Sequence, residues 1–224
     1  MGYVKQVLAE AVSYFVGLDL GQSRDHSALA VVERADLVLD EIDHVTYARL
    51  MERRYRIRFL ERVALGTPYP NVVERVREVV RAKPLAARCT LVVDATGVGA
   101  PVVDLLQRAQ LGCGIEAVIL TGGERESSVE GVRCVPKQDL LGGLRVMLEK
   151  RELGIPLKYG PSRLLVKEMA EMETWMGGRG GLSFGARREG AHDDSVMASA
   201  LACWRARRRD PPGMWGTKSL GLSH

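Results

Sequence analysis

The stretch that most constrains this chain is Tyr14-Phe-Val-Gly-Leu-Asp-Leu-Gly21, an apolar run with one carboxylate, Asp19, set inside it. A short hydrophobic run bounded by glycine reads as a buried strand. Alternation places Phe15, Gly17 and Asp19 on one face and Tyr14, Val16, Leu18 and Leu20 on the other. An ionised carboxylate there is unfavourable unless something positive compensates it. The remaining sequence has to supply that partner.

The turn Gly21–Arg24 and a second apolar run, His26–Glu33, predict an antiparallel hairpin. From Ala35 to Leu65 the signals are mixed. Val45–Tyr47 reads as a strand, and Arg49, Arg53, Arg54, Arg56 and Arg58 as an arginine-rich extension. Those arginines fit either a solvated face balanced by Glu52 and Glu61 or a contact with nucleic acid. Pro68–Lys83 is an amphipathic helix, with Val72, Val76, Val79 and Val80 on one side. Thr90–Asp94 is a buried strand ending in a carboxylate, followed by a helix over Ala100–Gln110 and a strand over Ile115–Leu120. That order implies parallel pairing through a crossover.

Thr121–Pro136 is a long loop or exposed hairpin. Helices follow over Lys137–Arg151 and Ser162–Met176, with Leu153–Tyr159 as connector. A glycine- and arginine-rich segment, Gly177–Gly190, precedes a last helix opened by His192-Asp-Asp194 and running to about Arg207. The domain plan is a lead-in or linker remnant over 1–13, one domain over 14–207, and a disordered tail over 208–224. The expected class is α/β, with about five main strands flanked by helices, the first two a hairpin and the rest parallel.

A chain of 224 residues is long enough to bury a sizeable core. Lys and Arg number 32 against 28 Asp and Glu, a net charge of +4 that suits a nucleic-acid partner without requiring one. Cys89, Cys113, Cys134 and Cys203 show neither CxxC spacing nor paired histidines, which argues against zinc. No signal pattern and no apolar run of bilayer length is present, so a soluble intracellular protein is expected.

Three acidic points stand out: Asp19, Asp94 and the Asp193/Asp194 doublet. If the strands bearing Asp19 and Asp94 are parallel neighbours, their backbones lie about 4.8 Å apart. Carboxylates so close repel unless cations bridge them, and oxygen-only ligands favour Mg²⁺ or Mn²⁺. Two such ions suit phosphodiester hydrolysis. Plainer roles exist for each acid. One of Asp193 and Asp194 suits a helix cap, Asp94 and Asp25 suit turn chemistry, and His192 suits a loop.

Taken together, Gly17-Leu-Asp-Leu-Gly21 with Asp25, then Leu91-Val-Val-Asp-Ala-Thr-Gly-Val-Gly99, Pro136-Lys-Gln-Asp-Leu140 and Gly190-Ala-His-Asp-Asp-Ser-Val-Met-Ala-Ser-Ala-Leu-Ala202 resemble the nuclease domain of tailed-phage large terminase subunits. The resemblance runs from about Tyr14 to Trp204. It implies an RNase H-like fold and a two-metal endonuclease that cuts concatemeric viral DNA during packaging in the host cytoplasm. By position it makes Asp19 the bridging ligand, Asp94 the second and the Asp193/Asp194 pair the third. Asp194 is favoured for direct coordination, with Asp193, Asp25 and His192 around it. It places Lys137 near the cut site and Arg179, Arg187 and Arg188 near double-stranded DNA. An ATPase motor, a small terminase subunit and a portal are the implied partners, and no membrane is.

The departure from that family is the absence of G-x-x-x-x-G-K-[ST]. The motor is then expected on a separate polypeptide or in a separated domain. Rival readings are another RNase H-like nuclease or resolvase, a sugar-kinase or actin-like nucleotide-binding module, a dinucleotide-binding fold prompted by Gly97-Val-Gly99, and a catalytically silent DNA-binding scaffold. The dinucleotide fingerprint lacks its third glycine, with Val102 in that place.

Overall fold

The computed structural model describes residues 6–21, 25–97, 99–176, 182–185 and 192–208. Three long antiparallel strands begin the chain: β1 (Val7–Asp19), β2 (Ala28–Ile42) and β3 (Arg49–Arg62). Helix α1 (Tyr69–Arg81) leads to β4 (Cys89–Asp94), then α2 (Gly99–Arg108) to β5 (Gly114–Thr121). The short strands β6 (Ser127–Val129) and β7 (Val132–Pro136) form a hairpin, and α3 (Lys137–Glu149), β8 (Leu153–Gly154) and α4 (Gly160–Glu171) follow. A separate two-stranded ribbon, β9 (Glu173–Met176) with β10 (Leu182–Gly185), precedes α5 (Asp194–Arg207).

The main sheet has eight strands in the order β6-β7-β5-β4-β1-β2-β3-β8. Strand β4 runs parallel to β1, β5 to β4 and β7 to β5. The expected hairpin followed by parallel strands is therefore present, with short edge strands β6, β7 and β8 added to the five anticipated. The Thr121–Pro136 stretch is the hairpin alternative.

Each face of the sheet has its own core, as the period-2 pattern requires. Tyr14, Val16, Leu18, Leu91 and Val93 pack with the valine stripe of α1 (Val72, Val76, Val79, Val80) and with Val102 and Leu106 of α2. Phe15, Val92, Ala28, Ala30 and Val32 pack under α3, α4 and α5. Helix α5 is buried along nearly its whole length, which explains its lack of a polar face. Its small residues fit it there. A Cβ on Gly17 would lie 1.9 Å from the Ala198 carbonyl oxygen and 2.9 Å from the Ala202 nitrogen, so only glycine lets α5 cross β1 this closely.

Several expectations need correction. Strand β1 begins at Val7, so residues 7–13, read as a helical or linker lead-in, are strand paired to residues 34–39 of β2. The second strand runs on to Ile42, well past Glu33. Val45–Tyr47 is a turn, not a strand. Asp43 Oδ1 accepts the Val45 and Thr46 N–H groups at 2.9 and 2.7 Å, and Tyr47 has φ +53°. The arginine-rich extension is β3 itself. Residues 209–224 of the expected tail lie outside the described residues.

Candidate metal centre

Strand register sets the site. Leu18 pairs with Val93 across parallel β1 and β4, so Asp19 and Asp94 follow as neighbours at the two strand ends. Both continue the Phe15/Val92 face, the one covered by α5. The negative charge of Asp94 disfavours ionisation of Asp19 beside it. Helix α5 then brings its N-terminus over the same edge, with Gly17 permitting the close approach.

The result is a polar cleft of about 380 Å³ whose lining includes Asp19, Asp25, Asp94, Lys137, Asp193 and Asp194, with His192 and Thr96 beside them. The sequence-predicted acids thus reach one place from β1, β4, the β1–β2 turn and α5. Lys137, at the start of α3, joins them. Arg179, Arg187 and Arg188 lie outside the described residues.

The acids differ in their partners. Asp19 is raised well above the ordinary carboxylate pKa, first by burial and then by the charges of Asp94, Asp194 and Asp193, with Lys137 opposing. Asp94 is raised by burial, while the Thr96 side chain, the Thr96 N–H and Lys137 pull it down. The Thr96 N–H donates to Asp94 Oδ1 at 2.8 Å, so Asp94 makes a local turn contact, to Thr96. Lys137 Nζ donates to Asp193 Oδ2 at 2.9 Å. Asp194 is 6% exposed and is raised by burial, with Arg62 and His192 opposing. Its Oδ2 is buried without a hydrogen-bond partner.

The cap foreseen for Asp193 or Asp194 belongs to another residue. Asp193 occupies the N-cap position of α5 but makes no side-chain cap bond. Instead Glu168 of α4 accepts from the Ser195 and Val196 N–H groups at 2.9 and 3.2 Å and from Ser195 Oγ at 3.2 Å. A single buried carboxylate satisfies the first donors of the helix, leaving both aspartates for the cleft. Glu168 also pairs with Arg62 of β3, whose Nε lies 3.5 Å from Asp194 Oδ2. His26 donates from Nδ1 to the Val63 carbonyl at 2.8 Å and meets the His192 ring edge-on at 5.4 Å.

Glu168, Arg62 and His26 were missed by sequence reasoning. Glu168 left one signal: it falls on the buried side of α4 with Ser162 and Leu165, where an apolar residue is the norm.

Among the described residues no three acidic, histidine or cysteine side chains are already gathered as a closed metal cluster. The residues nevertheless fit hard divalent ions. The donors are carboxylate oxygens, one of them is a buried acceptor without a hydrogen bond, and Asp19 carries charge that its protein neighbours leave undercompensated.

No protein-family model matches the sequence, and no curated protein does. The structure is similar to the large terminase nuclease from thermophilic phage G20c, with a TM-score of 0.55 and 20% identity over 88% of this chain and 86% of that one. It is also similar to a mutant nuclease domain of the large terminase subunit of bacterial virus Sf6, with manganese and β-thujaplicinol, at TM-score 0.57 and 11% identity over 88% and 89% of the two chains. At such identities the likeness is one of fold. The hairpin-then-parallel sheet, the buried last helix and these neighbours together give this chain an RNase H-like fold, of the kind found in large terminase nuclease domains.

Proposed function

We propose that this chain is a divalent-metal-dependent DNA endonuclease that cleaves concatemeric viral DNA during genome packaging. The observation that carries this reading is the convergence of Asp19, Asp94, Asp193 and Asp194 from three separate elements on one cleft. Four carboxylates set against Lys137 and Arg62 leave the cleft with an excess of negative charge, which is costly to a fold unless cations offset it.

Asp19, Asp94 and Asp194 would hold the Mg²⁺ or Mn²⁺ ions, two in number on this reading, with Asp193 beside them. Bound there, the ions would supply Lewis-acid stabilisation of charge on a phosphodiester and lower the pKa of water. The chain's own residues prepare the place. Lys137 orients Asp193 through its hydrogen bond, the Thr96 N–H holds the Asp94 carboxylate, and Glu168 anchors the start of α5 through the Ser195 and Val196 N–H groups. On this reading the substrate is double-stranded DNA and the partners are an ATPase motor, a small terminase subunit and a portal, as the sequence motifs' resemblance to terminase nuclease domains implies.

The test is nicking of supercoiled plasmid by the purified chain. Mn²⁺-dependent nicking that disappears in Asp19→Ala supports the proposal, and metal-independent or absent nicking contradicts it. Recognition through phosphates also requires DNA affinity to fall steeply with salt. Affinity that is flat across moderate salt would exclude that mode of binding.

A further inference from the structure

Arg62 stands between two acids. It pairs with Glu168 on one side, and its Nε faces Asp194 Oδ2 at 3.5 Å on the other. The second contact is an ion pair without a hydrogen bond, for both atoms are buried and neither has a hydrogen-bond partner. Glu168 is 3% exposed and is itself anchored by the Ser195 N–H, the Val196 N–H and Ser195 Oγ. One carboxylate on α4 therefore does two things: it accepts from the first N–H groups of α5, and it pairs with the guanidinium of Arg62 on β3.

We propose that Glu168 is a positioning residue that keeps Arg62 from closing on Asp194, so that Asp194 stays available to a divalent cation. The inference rests on the metal-site reading above. A guanidinium does not lose its proton in proteins, so its attraction to a nearby carboxylate persists at any working pH and a closer acid competes with it. Glu168 is that acid. With its charge removed, Asp194 becomes the one acid left to Arg62 in this group, and arginine and divalent ion compete for the same oxygens. A residue that only stabilised the fold would not act on metal affinity through Arg62.

The experiment is calorimetric titration of Mn²⁺ into the full chain, with the melting temperature of each variant measured alongside. Glu168→Gln keeps the size of the side chain and one acceptor for the α5 N–H groups. It is expected to bind Mn²⁺ about tenfold more weakly or worse, the usual scale for an outer partner of a metal ligand. In an Arg62→Met background the same Glu168→Gln change is expected to leave Mn²⁺ affinity where Arg62→Met alone puts it. This second pair also serves if Glu168→Gln alone does not fold, since in the double variant both charges leave together. Wild-type affinity in Glu168→Gln, or a further loss in the double variant relative to Arg62→Met, overturns the inference. A wild-type chain that takes up no Mn²⁺ overturns the functional reading and this inference with it. Wild-type uptake with an unaffected Glu168→Gln overturns this inference alone.

Discussion

The two ends of the β1–β2–β3 sheet carry charge in opposite ways. At the far end each arginine faces an acid: Arg49 with Asp40, Arg53 with Asp36, Arg54 with Glu52, and Arg56 and Arg58 sharing Glu33. At the near end Asp19, Asp94, Asp193 and Asp194 share one cleft with Lys137, and the acid at its centre is pushed well above its ordinary pKa by burial and by its acidic neighbours. Paired surface charges contribute little, typically 0–1 kcal/mol each. Unbalanced ones near a core are retained at a stability cost, and function is the usual reason. The difference also favours the solvated-face reading of the β3 arginines over the nucleic-acid one.

Changes at the near end should dominate. Asp19→Ala is expected to reduce Mn²⁺-dependent plasmid nicking on the order of a thousandfold, about 4 kcal/mol of barrier, as read by initial rates on agarose gels. Gly17→Ala places a Cβ against the Ala198 carbonyl and should destabilise the fold by about 3 kcal/mol or more, measured by urea unfolding. Lys137→Ala removes the partner of Asp193 and should lower nicking about 10- to 100-fold while the fold persists by circular dichroism.

A subtler effect concerns pH. Because the folded-state pKa of Asp19 is raised, the folded chain holds that proton more tightly than the unfolded chain does. Stability without metal should therefore fall as pH rises from about 4 through the raised value. Asp19→Asn should melt above wild type at pH 8 in chelator, with the gap closing near pH 4, in scanning calorimetry. A gap that is the same at both values would show that Asp19 is not strained by its neighbours. At the far end, Arg49→Ala and Arg56→Ala should leave both nicking and melting temperature essentially unchanged. A large drop in nicking from either would break the contrast between the two ends.

Much of the near end was legible in the chain because its signals are local. Asp19 interrupts an apolar run, Asp94 ends one, and the Asp193/Asp194 doublet opens a helix of small residues. The far end was not, for equally physical reasons. Residues 7–13 alternate too weakly between apolar and polar to declare a strand, and they become one only because β2 is long enough to pair with them. Arg54-Tyr55-Arg56-Ile57-Arg58 does alternate, with Tyr55 and Ile57 buried, but the density of arginine hid the period. Val45 and Tyr47 have strand-type side chains yet are 86% and 84% exposed, since the Asp43 carboxylate closes a turn there. Glu168 and Arg62 are separated by 106 positions and meet only through the packing of α4 against β3.

The most direct test of the central claim is anomalous diffraction at the manganese edge from crystals soaked in Mn²⁺. The expected result is one or two peaks among the carboxylates of Asp19, Asp94 and Asp194, absent from Asp19→Ala crystals. Soaked crystals with that cleft empty of manganese, or with the metal held elsewhere on the chain, would contradict it.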